Sequence, residues 1–394
     1  MVLSFGASLQ PAVASCMLTV LLVISLASKE RLPHICSFVI RPKRISPVDV
    51  TVSVIINILE GACSLFIRSC PPFKGTFTIK QYQLYPENAD FDFDSCFLYI
   101  GNLFNSSVGI YDPYQDKMVD IIEFPGISHN PEYHIGGLGI DKRTGLLSIV
   151  VDAAAAFQTT PPDVSGTNLI MLWDPTTKEL LYKVNLTDTT HGKYGGFQDV
   201  EQDPEGNVYV VGTFPGSILR VEKKKGKKDP KVKPWYVSQP IDTNRTGLGG
   251  LAVKDWTLLS NDNDGGRLLK FNMRSSKGIP TVIPLTPNHK FTFSDAIYLP
   301  PKYHGTVLLV AEDGPGITVL RSKDGKWDTA EYLGTVPKNL PDSTFVTAAV
   351  QVGDAVFMVV VPFGDGIVDG TLAGNRTDFT FYDITEQVEK FLEV

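Results

Sequence analysis

Residues 192–221, GKYGGFQDVEQDPEGNVYVVGTFPGSILRV, hold three short strand-like runs and two turn signals, and most of the downstream chain repeats that layout. Residues 197–202 and 208–212 read as strands parted by Asp203-Pro204-Glu205-Gly206-Asn207, where Pro presets φ and Gly accepts positive φ. The second run is too apolar to face water on either side. After Pro215-Gly216 turns the chain again, residues 217–221 alternate small or polar with apolar side chains, the period-two sign of a strand with one buried face. Strands this short need neighbours to cover them.

The same template recurs. Residues 88–92, 97–101 and 108–113 form one copy; 137–141, 146–151 and 169–175 form the next. Beyond the unit at 192–221 come copies at 250–253, 257–260 and 267–271, at 295–299, 306–311 and 317–321, and at 347–352, 355–361 and 379–382. Starts are spaced by about 45 to 60 residues, the range of propeller blades of four strands each. Radial repetition leaves few exposed strand edges, so the expectation is an all-β, six-bladed β-propeller over 73–394, with residues 77–85 supplying the outer strand of the last blade. A two-sheet sandwich array would show turn signals without the longer period.

Composition fits such a body: 43% hydrophobic, 20% charged, net charge −7. The acidic balance argues against a nucleic-acid partner, and the one dense basic run, KKKGKK at 223–228, reads as a solvated loop between strands. Residues 1–72 are a signal- or anchor-like segment. Residues 16–27 (CMLTVLLVISLA) have the length of a signal-peptide core, and 50–67 are long enough to begin to span a bilayer but carry Glu60. The expectation is secretory targeting, with an extracellular or membrane-associated lumenal propeller. Sequons at Asn105, Asn185, Asn244 and Asn375 are candidate glycosylation sites. In an oxidising compartment Cys96 would pair with Cys70 or Cys63; otherwise it is a buried thiol.

The familiar nucleophile, phosphate-loop and metal signatures are missing, and HIGGLG at 134–139 enters a strand rather than a helix. In a propeller, residues just before each innermost strand converge on the mouth of the central channel. Those positions hold Glu87, His134, Lys193, Tyr194, Gln198, Asp199, Asp295, Phe345 and Thr347. Asp199 and Asp295 have a structural alternative, satisfying backbone N–H groups of neighbouring turns. NDNDG at 261–265 resembles a cation loop but lacks the later Glu of an EF-hand, so a Gly-ended hairpin turn is expected. A calcium- or zinc-dependent lactonase of the gluconolactonase and regucalcin type would use Glu87 and Asp295. Gln198 stands where that group presents Asn, and its longer amide displaces the ligand oxygen, so no metal is expected.

YPENADFD at 85–92, YDPY at 111–114, FPGISHNP at 124–131, GKYGGFQDVEQDP at 192–204 and VGTFPGSILRV at 211–221 resemble the propellers of fungal sesquiterpenoid gene clusters. That family includes tropolone-sesquiterpenoid hetero-Diels–Alderases and the trichothecene biosynthesis protein fourteen, and the resemblance runs from about Phe77 to the C-terminus. It implies a cofactor-free, metal-independent ring closure in secondary metabolism. The first expectation is a hetero-Diels–Alder addition joining a tropolone-derived quinone methide to a humulene-type sesquiterpene, giving a meroterpenoid; an intramolecular oxygen-ring cyclase of the trichothecene type is the alternative. Substrates would then be small terpenoid and polyketide-derived molecules. Orientation alone lowers such barriers by several kcal/mol, and hydrogen-bond donors aimed at the developing oxygen charge add to it. By position, Lys193, Tyr194 and His134 are the expected donors, with Glu87 and Asp295 orienting them. Gln198 and Asp199 would contact substrate, and Phe214, Trp235, Phe345 and Phe363 would form an apolar wall.

Overall fold

The computed structural model describes residues 70–223 and 230–393. The chain enters through β1 (Phe77–Lys80) and lays down blade 1 from β2 (Pro86–Asp92), β3 (Phe97–Asn102), β4 (Ser107–Asp112) and β5 (Lys117–Ile122). Blade 2 is β6 (Tyr133–Ile140), β7 (Leu147–Ala153), β8 (Leu169–Asp174) and β9 (Glu179–Asn185). Blade 3 is β10 (Gly195–Gln202), β11 (Val208–Phe214), β12 (Ser217–Glu222) and β13 (Lys231–Val237). Blade 4 is β14 (Leu248–Lys254), β15 (Thr257–Asp262), β16 (Arg267–Asn272) and β17 (Thr281–Ile283). Blade 5 adds a short parallel strand, β18 (Leu285–Thr286), outside β19 (Ser294–Tyr298), β20 (Val307–Glu312), β21 (Gly316–Arg321) and β22 (Ala330–Pro337). Blade 6 is β23 (Thr344–Val352), β24 (Ala355–Pro362) and β25 (Asp378–Asp383), completed by β1.

The expected six-bladed ring is therefore present, and the expected N-terminal strand closes it. Phe77 pairs with Phe381 and Lys80 with Asp378 in antiparallel register, so the two ends of the propeller lock each other. Apolar residues from facing blades fill the gaps between sheets. Phe197 and Val210 of blade 3 pack with Val150 and Ile170 of blade 2, and Leu251 and Leu258 of blade 4 pack with Tyr209 and Ile218 of blade 3. The disulfide is Cys70–Cys96, which ties the segment before β1 to the hairpin between β2 and β3. The signal- and anchor-like stretches, Cys63 and most of the basic run at 223–228 lie outside the described residues.

Every innermost strand carries a β-bulge at the same depth. The pairing register with the second strand skips Glu87 in blade 1, Gly136 in blade 2, Gln198 in blade 3, Gly249 and Gly250 in blade 4, Asp295 and Ala296 in blade 5, and Thr347 in blade 6. A bulge re-aims one side chain out of the pleat. Here six strands crowd one axis, and the glycines show how tight the crowding is. A Cβ on Gly137 would stand 2.4 Å from the Gln198 carbonyl oxygen, and one on Gly250 would stand 2.5 Å from the Ile297 nitrogen. Blades 2 and 4 thus present glycine pairs so that blades 3 and 5 can approach.

Polar side chains stitch the blades at this level. Asp199 of blade 3 accepts from the Leu251 N–H of blade 4 at 2.8 Å, and Asp90 of blade 1 accepts from the Ile140 N–H of blade 2 at 2.8 Å. Asn261 accepts from the Gly250 N–H and donates to Ser294 Oγ and the Asp295 carbonyl. The 261–265 segment is the hairpin end expected from sequence. Its Asp262 pairs with Arg267 and its Asp264 with Arg245.

The crowding predicts an asymmetric response to a single methyl group. Gly137→Ala should cost about 2 kcal/mol by overpacking, whereas Gly314→Ala, with nothing within 4 Å of its Cβ, should be near neutral. Thermal melts of both variants check this, and equal midpoints would refute the rigid approach of blades 2 and 3.

Candidate functional site

The innermost strands all begin at the same end of the channel, and the bulges place four kinds of side chain at that mouth: Glu87, Gln198, Asp295 and Thr347. Where blade 2 has glycine, the next strand supplies the side chain instead. Asp152 of β7 lies over Gly136, its Oδ2 only 2.8 Å from where a Cβ would stand. Asp313, just after β20, joins the same electrostatic group. The channel axis is therefore floored by Glu87, Asp152, Asp295 and Asp313.

Gln198 spans the floor. Its Nε2 donates to Asp295 Oδ1 and to the Gly249 carbonyl, both at 3.1 Å. Both contacts are acceptors, so the NH2 end of the amide is the end required here. A lactonase-type metal ligand would need the amide oxygen turned to this place. Deeper in the channel, Asn88 Nδ2 approaches Asp199 Oδ1 at 3.5 Å. Below that pair a cavity of about 460 Å³ opens towards the opposite face, lined by Asp90, Lys142, Asp199, Glu201 and Tyr298 among others.

Burial dominates the proton affinities of the floor. It raises Glu87 to about 8, with the Asp152 and Asp313 charges adding to it. Asp295 is pushed well above the ordinary range, by burial first and then by Glu87, Asp313 and Asp199. Burial holds Asp152 well up and Asp313 at about 7; the Lys338 ammonium offsets part of the Asp313 rise. Like charges this close cannot all ionise in a low dielectric, so the cluster keeps protons at neutral pH. Among the described residues, three buried oxygens at this level have no protein hydrogen-bond partner: Glu87 Oε2, Asp152 Oδ1 and Thr347 Oγ1.

His134 sits beside the floor, buried, with Nδ1 4.0 Å from Asp152 and Nε2 3.4 Å from Gln158 Nε2. Burial lowers its pKa to about 4, which makes it a neutral imidazole. Above the floor stand two aromatic patches. Phe345 meets Phe363 in a tilted contact at 5.3 Å, and Phe104 meets Phe363 at 6.2 Å and His134 at 5.6 Å. On the side of blades 2 and 3, Phe157 meets Phe214 edge-on at 5.3 Å, directly over Gly196.

Several positions differ from expectation. Trp235 is not a mouth residue: it lies on the outermost strand of blade 3, 3% exposed, wedged between Tyr209 and Phe271 with its indole N–H on the Ser275 carbonyl. Tyr194 is buried, and its hydroxyl is spent on the Ser238 carbonyl and the Gln239 amide in the loop after β13. Lys193 is exposed on the loop before β10, with no side-chain bond among the described residues. Asp199 takes its structural alternative, accepting from the Val200 and Leu251 N–H groups. Glu87, His134, Gln198 and Asp295 are brought together at the floor, and Phe214, Phe345 and Phe363 at the rim. Sequence reasoning missed Asp152, Asp313, Phe104 and Phe157. The glycine pair at 136–137 was the available signal for Asp152, since a first strand without a side chain leaves room for one from the second. Asn105 and Asn185 are half-buried and Asn244 and Asn375 exposed, all on loops or strand ends of the mouth face.

No family model matches the chain. It is 39% identical over 340 residues to "Trichothecene biosynthesis protein 14" of Trichoderma arundinaceum, covering 82% of this chain and 91% of the relative. It is 33% identical to "Core trichothecene cluster (CTC) protein 14" of Fusarium sporotrichioides, covering 82% and 88%. The chain belongs to the trichothecene biosynthesis protein 14 family. Among solved structures, the major allergen Mala s 1 of Malassezia sympodialis shares the fold with a TM-score of 0.66 at 20% identity, covering 79% of this chain and 96% of the allergen. As a member of the protein 14 family, the chain is a secondary-metabolism propeller whose mouth offers proton-bearing acids beneath an apolar rim.

The raised carboxyls set the pH dependence of stability. Unfolded, Glu and Asp titrate near 4.5 and 3.8, whereas folded Glu87 keeps its proton to about 8 and Asp313 to about 7. Between these values the folded state binds more protons, so their contribution is fully present below about 4 and is lost as pH rises through about 7 to 8. His134 acts oppositely: its contribution is present above 6.5 and lost as pH falls through about 4. Thermal midpoints should therefore decline from about pH 6 to 9, and decline less in Glu87→Gln. A midpoint that rises across that range in the native protein would contradict the buried-acid reading.

Proposed function

We propose that the protein closes an oxygen-containing ring on a sesquiterpenoid, with a neutral carboxyl of the Glu87–Asp295 group donating to the reacting oxygen. The observation that carries this reading is the buried cluster of acids, their proton affinities raised by burial, beneath the Phe104, Phe345 and Phe363 rim. A terpenoid is mostly hydrocarbon with a few oxygens, and such a site offers each part its complement: aromatic faces for the carbon skeleton, a proton donor for one oxygen. In the intramolecular form a substrate hydroxyl attacks a carbon bearing a second hydroxyl. The new C–O bond forms, the old one breaks, the leaving oxygen departs as water with the carboxyl's proton, and the proton of the attacking hydroxyl restores the acid. The names of the two fungal relatives support this form. General-acid assistance of this kind is worth about 10²- to 10⁴-fold.

The two separate aromatic patches favour a second form, the hetero-Diels–Alder addition of a polyketide-derived quinone methide to a terpene alkene. There C–O and C–C bonds form together, no proton is transferred, and the same carboxyl stabilises the carbonyl oxygen as charge develops. In both forms His134, being neutral, orients rather than protonates. The Cys70–Cys96 disulfide supports placement in the secretory pathway, because such bonds persist in oxidising compartments.

Disrupting the gene in its host should leave an open-ring precursor, or two uncoupled partners, that the purified protein converts to a single stereoisomer. Glu87→Gln should lower the rate by about 10²-fold or more. An unchanged metabolite profile on disruption would sink the ring-forming reading. Activity lost to a chelator and restored by calcium or zinc would support a lactonase instead.

A further inference from the structure

We propose that Asn105 carries an N-linked glycan whose first sugar sits in a cavity of about 390 Å³ beside it, outside the channel on the mouth face. Attachment rests on the secretory placement proposed above; the seat rests on the residues that line it. The cavity lies between blade 1 and the 363–377 loop of blade 6, and Asn105 is part of its wall. Around it stand Tyr82, Gln83, Asn102, Glu123 and His129, with Thr371 from the loop. Its volume is that of a small-molecule site, and amides, a hydroxyl, an acid and an exposed aromatic ring are the groups that match a sugar.

The sequon Asn105-Ser106-Ser107 makes the turn between β3 and β4, with Ser106 in the left-handed region at φ 47°. The turn fixes Asn105 against two walls of the cavity. Its carbonyl accepts from the His129 N–H at 3.0 Å, and its Nδ2 donates to the Gln83 carbonyl at 3.2 Å. A glycosylated amide keeps one N–H, so attachment still leaves a donor there. Gln83 holds the third wall, its Nε2 donating to Thr371 Oγ1 at 3.0 Å and to the Gly374 carbonyl at 2.8 Å. Asn102 is 3% exposed and donates to Ser107 Oγ at 2.9 Å, while its Oδ1 has no protein partner among the described residues. Turning that amide over only exchanges which atom is left unmet. Buried polar atoms are ordinarily paired, and the hydroxyls and acetamide of the N-acetylglucosamine that begins such a glycan supply the missing partner. Its apolar face matches Tyr82, which is 49% exposed and makes no side-chain bond among the described residues. Asn244 and Asn375, by contrast, are exposed, and glycans there project into solvent. A sugar seated at Asn105 braces blade 1 against the loop that carries Phe363, and so steadies one side of the apolar rim.

The test uses full-length protein purified from a filamentous fungal host. Release of glycans by peptide N-glycosidase in 18O water, after denaturation and digestion, marks each occupied asparagine by mass, and Asn105 should be among them. Occupied Asn244 and Asn375 with Asn105 bare would leave the secretory placement standing and overturn the seat; no occupied sequon at all would overturn both. The seat itself is read by the same enzyme acting on folded protein. Release at Asn105 should then be about tenfold or more slower than at Asn244 or Asn375, and should match them once the protein is denatured. Y82A removes a half-exposed side chain from the lining and should bring native release at Asn105 up to the rate of the exposed sites. E123A, also on an exposed part of the lining, covers the case in which the tyrosine variant does not fold. Equal native release at all occupied sites of the unmutated protein, or slow release at Asn105 that neither variant relieves, would show that the cavity does not hold the sugar.

Discussion

The crowding of six strands around one axis governs this molecule. Six ordinary side chains cannot share that axis, and the chain resolves the conflict with a bulge in every innermost strand and glycine pairs in blades 2 and 4. Each bulge detaches one residue from its ladder, or two in blades 4 and 5, and re-aims the side chain there. Beside the blade 4 bulge the Gly250 N–H is met by Asn261 of the same blade and the Leu251 N–H by Asp199 of blade 3, while Asp90 of blade 1 meets the Ile140 N–H of blade 2. Packing, polar satisfaction and the choice of side chains at the mouth are thus consequences of a single geometric constraint.

That constraint also explains why acids collect with little cationic charge beside them, Lys338 acting on Asp313. A bulge residue is half-buried by the neighbouring strands, so a carboxylate there loses water without gaining a counter-ion. The result is a set of carboxyls that stay protonated at neutral pH, raised chiefly by burial. Such a set lowers stability whenever it ionises and is useful as a donor only while it does not. Carboxyls whose proton affinities are raised this far, gathered at a channel mouth, mark a candidate functional site.

The architecture was readable because propeller blades repeat turn chemistry at fixed spacing: Asp203-Pro204-Glu205-Gly206-Asn207 in one blade and Asp141 to Gly145 in another mark the same hairpin. The closing strand was readable because Phe77 and Ile79 lie outside the first repeat yet keep strand character. The site was only half readable. Glu87 and Asp295 could be placed because they open innermost strands, but a register shift leaves no one-dimensional mark except glycine, and Gly136-Gly137 looks the same whether it serves a turn, a phosphate or a close approach. Asp152 is the next-to-last residue of a uniformly buried second strand and resembles core boundary. Trp235 misled because an aromatic near a Pro in an outer strand gives no sign of which gap it fills; here it is the gap between blades 3 and 4.

The channel is divided rather than open. Gln198 bridges to Asp295 across blades 3 and 5, and Asn88 approaches Asp199 across blades 1 and 3, so two amide–acid contacts form a diaphragm between the mouth and the lower cavity. The residue on the mouth side of each pair step is a bulge residue, Glu87 or Gln198, and the one on the cavity side is its sequence neighbour, Asn88 or Asp199. The same register shift that aims one residue at the mouth therefore commits the next to closing the floor beneath it. Beneath the Phe345 and Phe363 rim these contacts close the floor, and in a buried, low-dielectric setting of that kind a single donated hydrogen bond counts for more than it would in solvent.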